Sequence, residues 1–278
     1  EITSELLTLP GSHQRPEYAR VYRAGGQAPP IICLGDARYV PLLMERFPAE
    51  VPVVFLRLDG FNVWPALHLT IDEQVDAYMR ALDALGLAGP VLLVGFSYGG
   101  FLAYRLAAAL QQAHGERVAI HLVEPSLPTR NSKNYSLGLN AHLLKVRWRL
   151  RAREWRARWT KGPLPNPLPA DPRQVPDSNS RWLYMRQHYA KEMRRARLIP
   201  LGIPIGLAGA QTYLSDFLCF WEELEPGLIE PCPLPIDEDH ADVIRGQNAQ
   251  VWLDSVTASY DRLQRGDTPR QRPTPPAS

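Results

Sequence analysis

Ser97 is the residue of this chain best placed to attack a carbonyl carbon. It stands in Gly95-Phe96-Ser97-Tyr98-Gly99, a Gly-x-Ser-x-Gly stretch that follows the apolar run Val91-Leu92-Leu93-Val94. Phe101-Leu102-Ala103-Tyr104-Arg105-Leu106-Ala107 continues with helical spacing. A strand, a sharp turn and a helix in direct succession push a serine hydroxyl out above a sheet, the arrangement called a nucleophile elbow. Glycines flank the serine because the turn is strained and the chain packs too closely for a Cβ. The spelling alone recurs by chance; its position between strand and helix gives it weight.

A serine hydroxyl is a poor nucleophile at neutral pH and needs a base, itself oriented by an acid. Behind an elbow the chain order is serine, acid, histidine. His114 closes the helix that begins at the elbow, His121 lies inside an apolar run, and His142 and His188 fall in helical segments. His240, in Asp237-Glu238-Asp239-His240, is the one in a loop after the last expected core strand. For the acid, Glu124 ends the run that follows the elbow helix, at the strand edge where such sites assemble. Asp216 is the runner-up, within Tyr213-Leu214-Ser215-Asp216-Phe217, which reads as a helix start where Asp would cap. An oxyanion hole needs two backbone amides. The elbow itself supplies that of Tyr98, and the loop after Ile31-Ile32-Cys33-Leu34 would supply that of Gly35 or Asp36.

These groups must be held by a scaffold, and the pattern of the chain indicates which. Apolar runs at 31–34, 51–56, 91–96 and 118–123 alternate with helical patterns at 41–47, 71–85 and 98–114. Thr70-Ile71-Asp72-Glu73 has the spelling of a capping box. Strand and helix in alternation predict an α/β fold, a mostly parallel doubly wound sheet of the α/β-hydrolase type. The alternation stops between 127 and 197, which reads as a helical lid inserted into a core of 30–126 and 198–264. Residues 1–29 read as a leader and edge strand, and 265–278 as a disordered tail or linker. Within the insertion, Trp148 and Trp155 share a face of one helix, and Trp182, Met185 and Tyr189 line a second expected at 180–197. These five are expected along a substrate channel. After the insertion come a strand near 203–208, a helix near 216–224, a last strand through Pro233-Leu234-Pro235-Ile236 and a closing helix at 251–263.

Composition bounds the rest. The net charge of +2 gives no global pull toward nucleic acid or a membrane surface. No apolar stretch reaches spanning length, and the start lacks a signal peptide's regions. Cys33, Cys219 and Cys232 are odd in number and widely spaced, which speaks against a disulfide framework or zinc site and for a reducing cytoplasm. The chain begins at Glu1 rather than Met, as an excised domain or processed product would.

With these residues assembled, the chain resembles the thioesterase domains that end non-ribosomal peptide and polyketide synthases. Gly-Phe-Ser-Tyr-Gly-Gly-Phe-Leu-Ala-Tyr at 95–104 is similar to that family's Gly-Trp-Ser-Phe-Gly-Gly-x-x-Ala-Tyr/Phe. Leu58-Asp59-Gly60, the Thr70 helix start, Trp221 and His240 also fall at family positions. The resemblance implies a triad acid at Glu124, where Asp is the family's usual residue. It implies an acyl or peptidyl chain delivered on the phosphopantetheine of a carrier protein, upstream in the same polypeptide. It implies release to water, or to a hydroxyl or amine, with no metal and no cofactor of its own. Arg151 and Arg153, on the arginine-rich lid helix, would then meet the carrier or its phosphate; a solvated cationic face is the plainer reading of the same charges. Two other classes fit the same residues: a stand-alone serine carboxylesterase or lipase with a lid, and an inactive hydrolase-fold binding module.

Overall fold

The apolar runs become strands that are covered on both sides. In the computed structural model, which describes residues 18–59, 70–87, 89–115, 117–127, 178–235 and 243–266, β2 (Ile31–Leu34), β3 (Val53–Leu56) and β4 (Val91–Phe96) are buried at every position. β5 (Val118–Val123) and β6 (Ile205–Ala210) complete the centre of the sheet. β1 (Ala19–Arg23) pairs antiparallel with β3 at one edge, and β7 (Ile229–Leu234) pairs parallel with β6 at the other. The order is β1-β3-β2-β4-β5-β6-β7, with every pair after the first parallel. This is the mostly parallel, doubly wound sheet that the alternation predicts.

Successive strand residues face opposite layers. Ile32, Leu34, Leu93, Ile120, Leu122 and Leu207 pack with α2 (Ile71–Ala84), α3 (Tyr98–His114), α4 (Ser178–Arg195) and α5 (Gln211–Leu224). Ile31, Cys33, Leu92, Val94 and Val123 pack with α1 (Val40–Arg46) and α6 (Gly246–Arg265) on the other face. Strands buried on both sides read as near-continuous apolar runs rather than alternating ones, as they do here.

Adjacent β2 and β4 send their helices to opposite layers, α1 to one and α3 to the other. That divergence opens a crevice at the carboxyl ends of the two strands, where open α/β sheets place their ligands. The sheet thus presents the loops after β2 and β4 to one another.

Local chemistry sets the helix ends. The capping box is present: the Thr70 hydroxyl accepts from the Glu73 amide at 3.2 Å, and the Glu73 carboxylate accepts from the Thr70 amide at 2.8 Å. Its hydrogen bonds to Thr70 hold the Glu73 carboxyl below its ordinary value. The helix expected at 216–224 instead begins at Gln211, directly off β6, with Ala210 as its N-cap and no side-chain cap. The last strand also lies earlier than expected, at Ile229–Leu234 rather than through Ile236. It contains Pro231 and Pro233, which a strand tolerates at a sheet edge, where a missing N–H costs no ladder bond. The second insertion helix, expected at 180–197, is α4 at Ser178–Arg195.

The segment after α4 is fastened to the elbow helix. Tyr104 donates to the buried Glu225 carboxylate at 2.6 Å, with the Ile199 carbonyl 2.9 Å away. Glu225 also accepts from the amides of Leu201 and, at 3.0 Å, Gly202. Arg105 donates to the Arg197 carbonyl at 2.6 Å.

Candidate active site

Ser97 joins β4 to α3 with φ 56° and ψ −124°, outside the basins that L-residues favour. Such a conformation persists only where the surroundings over-determine it, and here they do. The Ser97 amide donates to the Val123 carbonyl at 3.0 Å, while its carbonyl accepts from Gly100 at 3.0 Å and Ser126 at 2.9 Å. The flanking glycines are needed for space. A Cβ on Gly95 would lie 2.5 Å from Gly100 Cα, and one on Gly99 would run into the Leu34 carbonyl and the Gly35 amide. The loop after β2 is therefore pressed against the elbow, which puts Gly35 beside the turn that carries Ser97. Ser97 is partly exposed while its neighbours are buried.

Tyr98 is the first residue of the 17-residue α3. The amides of a first helical turn lack intrahelical acceptors and carry the positive end of the helix dipole. The Tyr98 amide thus has the character that an oxyanion donor needs. Gly35 has φ 108°, and Asp36 caps the short 3-10 turn Ala37–Tyr39, its carboxylate accepting from the Arg38 amide at 2.9 Å. Burial alone would raise the Asp36 carboxyl; hydrogen bonds from Arg38 and its charge, with Arg245 adding, hold it below the ordinary value. Its side chain is thereby occupied, leaving only its backbone for the role expected of it.

One residue that the sequence reading missed braces this crevice. The buried Tyr39 hydroxyl accepts from the Leu34 amide at 3.0 Å and donates to the Val94 carbonyl at 2.8 Å, bridging the ends of β2 and β4. Burial pushes its phenol well up, so it stays protonated and able to donate. A tyrosine four residues past Gly35 offered no spacing signal for this role.

Glu124 follows β5 directly, beside the elbow, because Phe96 pairs with Val123. It has φ 43° and is 2% exposed. Its amide donates to the Ala208 carbonyl at 2.8 Å, and its Oε1 accepts from the Ala210 amide at 3.1 Å. The side chain is thus turned along the carboxyl ends of β5 and β6. Asp216 is buried in the second turn of α5, six positions past Ala210. It is therefore neither at a strand end nor an N-cap, the role its surroundings in sequence suggested.

His240 lies outside the described residues, as do Trp148, Trp155, Arg151 and Arg153. Trp182 belongs to α4, and its side chain also lies outside them. Met185 and Tyr189 are buried within the core cluster on the α3 side of the sheet. Tyr189 stacks on Tyr98, with ring centroids 4.3 Å apart and 28° between planes.

Two other histidines are placed where chain order puts them. His114 ends α3, its Nε2 3.8 Å from Asp83. His121 is fully buried in β5, its ring against Gly206, and among the described residues neither ring nitrogen has a hydrogen-bond partner. Burial first, and the charge of Arg262 second, push its pKa down to about 3. Among the described residues no group of three or more His, Cys, Asp or Glu side chains is disposed to hold a metal, and no helix is long and apolar enough to cross a membrane.

Comparison with known proteins bears on the fold and the family. Residues 33–146 match the thioesterase domain family. Over 133 residues, 46% of this chain, it is 30% identical to a protein of Salinispora arenicola named "Probable non-canonical nonribosomal peptide synthetase (NRPS) CymA". That match covers 2% of CymA, and the chain spans between 2% and 10% of the curated relatives it matches. Among solved structures, BorB, a type II thioesterase from the borrelidin biosynthetic cluster, superposes with a TM-score of 0.58 at 18% identity, covering 88% of this chain and 97% of BorB. The NocB thioesterase domain, solved as a covalent complex with a fluorophosphonate nocardicin G analogue, gives 0.56 at 17% identity over 87% of this chain and 99% of that domain. These superpositions show the α/β-hydrolase fold of thioesterases.

Proposed function

We propose that this chain, which carries the thioesterase-domain family over residues 33–146, releases an acyl or peptidyl chain held as a thioester on a carrier protein. Ser97 is the nucleophile. Its Oγ attacks the thioester carbonyl while His240 takes the hydroxyl proton, and Glu124 orients His240 and stabilises its charged form. The developing oxyanion is met by the amide of Tyr98 and that of Gly35 or Asp36. Collapse of the tetrahedral species expels the pantetheine thiolate, which takes the proton back from His240, and an acyl-serine remains. His240 then deprotonates water, or a hydroxyl or amine, which attacks the acyl-serine. The second collapse frees the product and returns the proton to Ser97.

The observation that carries this reading is the pair of strained residues at adjacent strand ends, Ser97 after β4 and Glu124 after β5. The synthetases among the relatives support a phosphopantetheine-bearing carrier as the partner, joined in one polypeptide or met as a separate protein. The segment 127–197, to which α4 belongs, would wall the acyl channel.

Intact mass after mixing with a pantetheine thioester tests the mechanism. The wild-type chain is expected to gain the mass of the acyl group and Ser97→Ala to gain none; an adduct on the variant overturns the assignment. Faster turnover of simple esters than of the carrier-bound thioester would instead favour a stand-alone carboxylesterase.

A further inference from the structure

We propose that Tyr189 is a positioning residue for the oxyanion-binding turn, acting through the ring of Tyr98. This rests on the reading of Ser97 as nucleophile given above. The amide expected to receive the oxyanion belongs to Tyr98, so whatever locates Tyr98 locates that donor. The Tyr98 ring is buried, and its hydroxyl has no hydrogen-bond partner among the described residues. Its place is therefore set by packing, and Tyr189 stacks on it with ring centroids 4.3 Å apart.

Tyr189 is itself anchored from two directions. Its hydroxyl donates to the Asp59 carbonyl at 2.5 Å, just past the end of β3, with the Asp59 carboxylate 3.5 Å away. Met185 and Met193, one turn before and one turn after on α4, are buried beside it. The Asp59 carboxylate is in turn held by the Tyr18 hydroxyl at 3.3 Å, from the residue before β1. A continuous chain of contacts thus runs from the sheet edge through Asp59 and Tyr189 to Tyr98, adjacent to Ser97. On its other flank the elbow is fixed by Val123 and by the loop at Leu34 and Gly35. The strained turn is held from both sides, and a shift of α4 reaches the oxyanion donor through one aromatic pair.

The test compares Tyr189→Leu, Tyr189→Met, Tyr189→Phe and Leu263→Ala with the wild-type chain. The readouts are the phosphonylation rate with an aryl fluorophosphonate, kcat and KM with a pantetheine thioester, and the unfolding midpoint. Tyr189→Leu is expected to lower kcat and phosphonylation about tenfold, equivalent to about 1.4 kcal/mol of transition-state stabilisation, with KM little changed. Tyr189→Met is expected to do the same and serves if the leucine variant does not fold. Tyr189→Phe keeps the stacked ring and is expected to recover most of the rate. Leu263→Ala removes packing from α6, in the layer on the other face of the sheet, and is expected to lower the midpoint while leaving kcat near wild type. Wild-type rates in both Tyr189→Leu and Tyr189→Met overturn the proposal, as does a kcat loss in Leu263→Ala that follows its midpoint as closely as in those variants. Absence of labelling in the wild-type chain overturns the serine mechanism, and this proposal with it; labelled wild type with indifferent Tyr189 variants overturns this proposal alone.

Discussion

Ser97 and Glu124 stand at the ends of paired strands and are the two non-glycine residues with positive φ among the described residues, at 56° and 43°. A backbone amide of one region feeds the other: Ser97 donates to Val123, and Ser126 donates back to Ser97. Conformations of this kind cost on the order of 1–3 kcal/mol each. Both fall in one pair of neighbouring turns, and strain concentrated in this way is the observation on which the proposed serine mechanism rests.

Glu124→Gln separates charge from shape. The amide oxygen can still accept from Ala210 as Glu124 Oε1 does, so the fold is expected to stand while the charge is lost. In the serine mechanism kcat is expected to fall by about 10³–10⁴. Asp216→Asn is expected to change it little. Steady-state turnover of a soluble thioester checks both, and the opposite ranking would move the acid to Asp216.

Gly99→Ala tests the contact between the elbow and the loop after β2. The added methyl meets the backbone of Leu34 and Gly35, neither of which has a flexible end to move away. Overpacking of this sort costs about 1–3 kcal/mol. Urea unfolding is expected to show that loss, and kcat to fall as well, because the displaced loop carries an expected oxyanion amide.

Tyr39→Phe removes a hydroxyl that serves both Leu34 and Val94. Two buried backbone groups lose a partner, at about 1–3 kcal/mol for an unsatisfied group. The measured unfolding free energy is expected to drop by that order with KM unchanged. A variant as stable as wild type would show the bridge to be dispensable.

His121 predicts a pH dependence. Its folded-state pKa, about 3, lies below the ordinary 6.5, so below pH 6.5 the unfolded chain binds a proton that the folded chain refuses. Stability therefore falls as pH drops from 6.5 toward 3. The contribution by pH 5 is about 2 kcal/mol. His121→Leu is expected to flatten the unfolding free energy between pH 7 and 5 by that amount; an unchanged slope would show that His121 already shares a proton in the fold.

The elbow was legible because two signals coincide there: an apolar run long enough for a buried strand, and glycines at Gly95, Gly99 and Gly100, where a side chain would collide. The capping box at Thr70 and Glu73 was legible for a similar reason, since four consecutive residues carry the whole interaction. α5 was read too short because β6 runs into it with no capping side chain to mark the join. β7 was shifted because prolines ordinarily argue against a strand, and sequence does not say which strand will lie at an edge. The Tyr98–Tyr189 stack joins residues on α3 and α4 with no shared periodicity, so only tertiary packing reveals it. His240 rests on chain order alone.

The prolines of β7 have a bearing on how the domain keeps company. An open sheet margin normally offers a row of amide donors to which a stray strand can zip. Pro231 and Pro233 are exposed and have no amide hydrogen to give, at the margin of the described sheet opposite β1. That margin is a poor template for intermolecular β-pairing. A domain at high local concentration gains from such a margin a built-in resistance to tangling with its own copies.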